Sequence, residues 1–229
     1  MMLSDFESAA LALSFKVAVT ATLAGLPVAL FAAFMLARWR FPGKTILDVL
    51  LHIPLVVPPV VVGYLLLIAF APTGAFGGWL QAHGLSPAFK WQGAALASGI
   101  MALPLMIRSI RQAFEAESPA FGDVATTLGA GPWRRFYAVS LPLAWPGILS
   151  GAVLGFARAI GEFGATITFA ANIPGLTQTL PLALYSAAQS PGGEAAAARL
   201  ALLSLIPALL SLLISETLSR RARKKRGLA

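Results

Sequence analysis

Three places in this sequence have side-chain types whose spacing could do chemistry. Arg158 and Glu162 stand four residues apart, as do Asp48 and His52, the separation that brings two side chains together on one helix face. The first pair is read either as a gate or as a structural ion pair. The second is read as the polar start of a helix in preference to a proton relay. Gly43-Lys44-Thr45 mimics the end of a phosphate-binding loop, but the glycine such a loop needs further upstream is Arg38, so no nucleotide is expected to bind here. With no cysteine and only His52 and His83, disulfides, thiolate or histidine metal clusters and cysteine nucleophiles are excluded. Catalytic, cofactor-binding and metal-ligating residues are therefore expected to be none.

The elements that carry these residues are apolar. Of 229 residues, 58% are apolar and 11% charged, at a mean hydropathy of +0.79, whereas soluble chains carry about a quarter charged residues. A bilayer core about 30 Å thick needs roughly 20 apolar residues of helix. Five stretches qualify, at about 10–36, 46–70, 93–110, 138–161 and 198–218. The expected fold is an all-α polytopic membrane protein with about five transmembrane helices. Asp5 and Glu7 ahead of the first stretch, together with its length, predict a retained helix and not a cleaved signal peptide.

A net charge of +8 would suggest nucleic acid in a soluble chain, but here position decides. Arg38, Arg40 and Lys44, then Arg108, Arg111, Arg134 and Arg135, then Arg220, Arg221, Arg223, Lys224, Lys225 and Arg226 make thirteen of the seventeen basic residues. All fall in or flank alternate connections, or close the chain. Basic loops stay on the cytoplasmic side, which predicts an external N-terminus over 1–9 and a cytoplasmic basic tail over 219–229. The partners this implies are membrane lipid and no nucleic acid. The tail is read as a topology signal, with lipid-headgroup binding the sharper alternative. Between the last two spans, Ala165–Ala171 and Leu180–Ala188 are each too short to cross and are separated by Asn172-Ile173-Pro174-Gly175. This segment is expected to be re-entrant or interfacial on the outer face, which requires burial in protein or a wet cavity.

Pro54, Pro58, Pro59 and Gly63 interrupt the second span. Each proline removes a backbone donor, so a kink near Pro58 and a path-lining or hinge role are expected. In the fourth span Gly147, Gly151 and Gly155 recur every four residues, a ridge that lets helices approach closely. Arg158 and Glu162 lie in the same arc and should face protein. Five spans are few for enclosing a path, so two copies about a two-fold axis are expected.

The connection between spans three and four predicts a short helix over about 118–129. Ser118 can cap it, Pro119 suits its first position and Gly129 supplies a stop. Phe121, Val124, Ala125 and Leu128 share one face. Glu115, Glu117 and Asp123 make its first half acidic, which disfavours an anionic leaflet and favours a knob that fits a protein partner.

This connection resembles the coupling motif of binding-protein-dependent ABC importer permeases: Glu-Ala-Ala, three residues, Gly, nine residues, Ile, one residue, Leu-Pro. Asp123-Val124-Ala125, Gly129, Val139, Leu141 and Pro142 stand at matching positions, with Asp123, Val124 and Val139 departing from the pattern. Phe41-Pro42-Gly43-Lys44, Leu47-Asp48, Pro54, Pro58-Pro59-Val60-Val61 and Gly63-Tyr64-Leu65-Leu66-Leu67 resemble the molybdate permeases. So do Gly161-Glu162-Phe163-Gly164-Ala165-Thr166, Asn172-Ile173-Pro174-Gly175, Thr177, Thr179, Pro181 and Tyr185. The resemblance implies a type I ABC importer fold and a domain over 10–218. It implies ATPase coupling through Phe121, Asp123, Val124, Ala125, Leu128, Gly129, Leu141 and Pro142. It further implies an ATPase subunit, expected as a dimer, that holds the ATP-Mg, and an extracytoplasmic oxyanion-binding protein. Sulfate and tungstate remain alternative substrates. The rival reading from the residues is an ion-coupled secondary carrier, but no clear internal repeat and no midplane carboxylate support it. A membrane scaffold with no path would not need the tandem-proline span.

Overall fold

The computed structural model describes residues 4–225, and the last four residues of the basic tail lie outside the described residues. Helix α1, Asp5–Arg38, starts in a capping box: Ser4 Oγ accepts from the Glu7 amide at 3.2 Å while the Glu7 carboxylate accepts from the Ser4 amide at 2.9 Å. Helix α2, Lys44–His52, passes into a 3-10 turn at Ile53–Leu55, and α3, Pro59–Ala69, follows. Helix α4, Ala75–Ala82, leads to α5, Trp91–Glu115, and then to the short α6, Pro119–Thr127. The single turn α7, Pro132–Arg135, runs through a π-helical turn at Phe136–Ser140 into α8, Leu141–Ile160. Two short helices, α9 at Gly164–Phe169 and α10 at Leu180–Ala188, precede α11, Glu194–Lys225.

Among the described residues, four helices are long and apolar enough to cross a membrane: α1, α5, the continuous rod from Pro132 to Ile160, and α11 to Leu218. The second expected span differs from a kinked crossing. Its two parts, Lys44–Leu55 and Pro59–Ala69, are bent by 110°, and they make a fifth crossing only if the pair is counted as one. The reason is local. Pro58 caps α3 and Pro59 takes its first helical position, where a missing N–H leaves nothing unsatisfied and the fixed φ favours helix. The prolines begin a helix here; they do not bend one from within. Helix α11 also continues past 218 to Lys225, so the first part of the tail extends the span.

The core lies between α1, α5 and α8, around Leu36, Met106, Ile107, Ile110 and Phe114, all fully buried. Small residues on α1, among them Ala18, Ala21, Ala29, Ala32 and Ala33, let it lie close to α5. The glycine ridge of α8 faces α5 directly. A Cβ on Gly147 would collide with Ala113, one on Gly151 would stand 3.0 Å from Ile110 Cγ1, and one on Gly155 would stand 2.6 Å from Met106 Cγ. Close backbone approach thus replaces interdigitated side chains along this seam.

Helix α9 is wedged between α3 and α5, with Gly164, Ala165, Thr166 and Phe169 buried. That burial is what short helical pieces need when no bilayer-length helix carries them. Helix α11 packs on α8 and α10, with Ser150 Oγ and Ser215 Oγ 2.7 Å apart across the first of these contacts. At the end of the bundle where α1 begins, Arg199 of α11 pairs with Glu7 at 2.7 Å. Glu7 is 1% exposed, so its charge requires that partner.

Candidate coupling and gating sites

The loop between α5 and α8 builds its exposed knob from very few residues. Ser118 has the extended backbone of an N-cap, but its side chain makes no capping hydrogen bond, so the expected cap is absent. Pro119 at the first position and the left-handed Gly129, φ +78°, set the two ends. A side chain at Gly129 would be strained by that backbone even though nothing crowds the position. Phe121, Val124 and Leu128 are 55%, 58% and 80% exposed, with Ala125 half-buried between them. Trp133 on α7 adds a further exposed ring. These apolar side chains therefore stand bare of cover from the rest of the chain.

The acidic character expected of this loop is corrected by the structure. Glu115 is taken up by Arg111 at 2.7 Å, and Glu117 is buried, ion-paired with Arg38 and accepting from Ser140 Oγ at 3.2 Å. Of the three acids, Asp123 remains exposed on α6, with no ion-pair partner among the described residues. Leu141 and Pro142 lie where α8 begins. Pro142 has no N–H to return to Ala138, and the preceding amide, Leu141, reaches five residues back to the Phe136 carbonyl. This makes the π-turn, a wide turn of the kind found beside functional sites.

At the far end of α8, Arg158 Nη1 lies 2.5 Å from Glu162 Oε2. Glu162 is 2% exposed, while about a quarter of the Arg158 side chain is open. The second oxygen, Glu162 Oε1, accepts from the Ala165 amide at 2.9 Å, one of the unpaired N–H groups at the start of α9. The carboxylate therefore holds the guanidinium with one oxygen and caps a buried helix with the other. Glu162 lies just past the last residue of α8 and is buried, while Arg158, beyond the glycine ridge, remains partly open.

Pro54 lies in the 3-10 turn, and Pro58 is exposed. Pro59 and Gly63 pack against α9: a Cβ on Gly164 would stand 2.9 Å from Pro59 Cβ, and one on Gly63 would stand 2.7 Å from the Ala165 carbonyl oxygen. Asp48 is 3.2 Å from His52 Nδ1, but it also takes Arg111 at 2.7 Å. A fixed cation on that carboxylate ties α2 to α5 and favours the polar-start reading. These groups, with Val49, Arg108, Gln112 and Glu115, line an open cavity of about 420 Å³. Gly43 and Lys44 merely begin α2, and Lys44 Nζ donates to the Trp39 carbonyl at 3.3 Å. Among the described residues no group of three or more His, Asp or Glu is gathered as a metal site needs.

Three long-range ion pairs were not read from the sequence: Arg38–Glu117, Arg111–Asp48 and Arg199–Glu7. Each joins residues at least 63 apart. The one available signal was an acid next to an apolar run with no basic residue at helical spacing, as at Glu7 and Glu117.

Residues 25–224 match the family model described as the binding-protein-dependent transport system inner membrane component. The chain is 52% identical over 228 residues to the molybdenum transport system permease protein ModB of Escherichia coli K12, covering 99% of this chain and 100% of that one. It is 52% identical over 222 residues to ModB of Haemophilus influenzae, covering 96% and 97%. It is also 35% identical over 192 residues to the sulfate transport system permease protein CysT of Escherichia coli K12, covering 84% and 69%. In fold it is similar to a bacterial ABC transporter involved in import of the acidic polysaccharide alginate, at a TM-score of 0.70 and 16% identity over 97% of this chain and 80% of that one. A second structure of an alginate transporter, in complex with an alginate pentasaccharide-bound periplasmic protein, aligns at a TM-score of 0.68 and 18% identity over 96% and 80%. The all-helical bundle, its four or five crossings and these matches over nearly its whole length place the chain in the family of binding-protein-dependent transport system inner membrane components, as a multi-pass protein of the cytoplasmic membrane.

Proposed function

We propose that this chain is the permease subunit of an ATP-driven importer that moves molybdate into the cell. The observation that carries the reading is the 52% identity to the Escherichia coli molybdenum permease across 99% of the chain. The energetics agree with it. Moving each negative charge inward against a membrane potential costs about 2.3 kcal/mol per 100 mV, and the Gly43-Lys44-Thr45 stretch lacks the upstream glycine of a phosphate-binding loop. The ATP-Mg belongs to a separate ATPase subunit, and the bare face of Phe121, Val124 and Leu128 is the surface offered to it. Two permease copies about a two-fold axis face an ATPase dimer, and an extracytoplasmic oxyanion-binding protein delivers the substrate. The tandem prolines act as the hinge at which α3 and the attached α9 tilt against α2. Arg158 and Glu162 fix the far end of α8 to α9, beside the path.

The test is uptake into vesicles that hold this chain, its ATPase subunit and ATP, supplied outside with the loaded binding protein. Molybdate should accumulate inside, and accumulation that persists without ATP overturns the reading in favour of an ion-coupled carrier. The likeness to the sulfate permease CysT favours a second reading, another tetrahedral oxyanion such as sulfate or tungstate as substrate. An excess of each in turn, offered to the same vesicles, ranks them.

The arrangement also requires the N-terminus outside and α6 inside. The absence of native cysteine makes this simple to check. A cysteine at exposed Ser190, between α10 and α11, should react with an impermeant maleimide from outside, and one at exposed Ser118 only after the membrane is opened. The reverse pattern rejects the orientation.

A further inference from the structure

We infer that Glu117 is a positioning residue that ties the α6 knob to α1 and passes its movement into the bundle. The inference rests on α6 being the ATPase-docking helix and goes on to how its motion leaves it. Glu117 lies in the three-residue link between α5 and α6, where Ala116 and Ser118 on either side are exposed. Its own side chain is 4% exposed. One carboxylate oxygen, Oε2, takes the guanidinium of Arg38 from the last turn of α1, and the other accepts from Ser140 at the end of the π-turn, 3.2 Å away. A single side chain thus joins three elements: the end of α1, the lead-in to α6 and the base of α8.

Helix α6 packs on α7 and the π-turn, its own downstream segment, which carries it covalently into α8. That route meets α1 through apolar contact, where the Phe136 ring lies 4.8 Å from that of Phe34. The Glu117–Arg38 pair adds a directional polar tie to α1, across 79 residues of sequence. Stability alone does not call for a charge in this place, because a buried ion pair is commonly no more stabilising than apolar side chains of similar volume. What a paired carboxylate adds is direction, since a guanidinium and a hydroxyl hold it in one orientation. A push on α6 therefore displaces the end of α1 together with the base of α8.

The experiment uses the assembled transporter in vesicles with its ATPase subunit and loaded binding protein, and reads three quantities: ATPase subunit retained per permease, ATP hydrolysed, and oxyanion taken up per ATP. Glu117→Gln keeps the shape and an acceptor for Ser140 but loses the charge. It should retain the ATPase subunit while uptake per ATP falls roughly tenfold, the size of effect that a residue on a coupling route has. Combining Glu117→Arg with Arg38→Glu should recover part of the ratio. An unchanged uptake per ATP in Glu117→Gln, or losses that only follow the amount of permease in the membrane, overturns the inference. Should that variant not accumulate, Arg38→Lys serves in its place: a lowered ratio supports the role and an unchanged ratio rejects it. Failure of the docking reading itself is separable, because it would appear as normal ATPase retention by a permease with a charge placed on the α6 face.

Discussion

Glu162→Ala is expected to strip most of the stable permease from the membrane. Glu162 is 2% exposed, and its two oxygens serve different elements, Arg158 at 2.5 Å and the Ala165 amide at 2.9 Å. Truncation leaves the guanidinium without its partner and the first turn of α9 without its cap. Losing one member of a buried pair costs on the order of 3 kcal/mol, less here because Arg158 is partly open, and a lost cap adds about 1 kcal/mol. Against a total stability of about 5–15 kcal/mol that is a large fraction. Glu162→Gln, which can still accept from Ala165, should retain more protein. The swap Arg158→Glu with Glu162→Arg should rescue only in part, because an arginine at 162 restores the ion pair but cannot cap. Membrane abundance and uptake measured together decide the role. If Arg158→Gln assembles normally yet takes up nothing, Arg158 serves the substrate and the pair is not simply structural.

Leu128→Asp should do the opposite, leaving abundance untouched while uptake falls roughly a hundredfold, as expected when a central contact of a docking surface is lost. Leu128 is 80% exposed and caps the C-terminal end of α6, so the permease loses almost no internal packing when it changes. A carboxylate in an apolar groove of a partner would be desolvated without compensation. Co-purification of the ATPase subunit is the direct measurement. Normal retention and normal uptake would mean that α6 docks elsewhere or not at all.

How far the sequence reveals these sites depends on the range of the interactions that build them. The spans at 93–110 and 138–161 lie inside α5 and the rod that ends in α8, because runs of apolar residues report burial without needing a partner. The knob, the glycine ridge and the Arg158–Glu162 pair are likewise local patterns at helical spacing. The bend at Pro58 is different. A proline within an apolar run marks a break, but whether the second rod continues or doubles back depends on what it packs against, here α9 more than a hundred residues later. Helix α4 is eight residues long, too short for an apolar run of its own to mark a span. Glu117 reads as a surface acid by its neighbours, its lack of a basic residue at helical spacing being a weak sign against that, and the approach of Arg38 shows it turned inward. Glu7 misleads in the same way, with its partner 192 residues away.

The seam between α5 and α8 has a mechanical consequence. Where Gly147 meets Ala113 and Gly155 meets Met106 there is no room for a methyl group, and a joint without clearance has no slip. Sliding one helix along the other would drive Ala113, Ile110 and Met106 over backbone in place of yielding side chains, so the two travel as a single stiff lever. The loop bearing α6 connects their ends on one side, and α9 is fastened to the opposite tip through Glu162. The loop and α9 therefore stand at the two ends of one close-packed pair, and the break between α2 and α3 lies outside it.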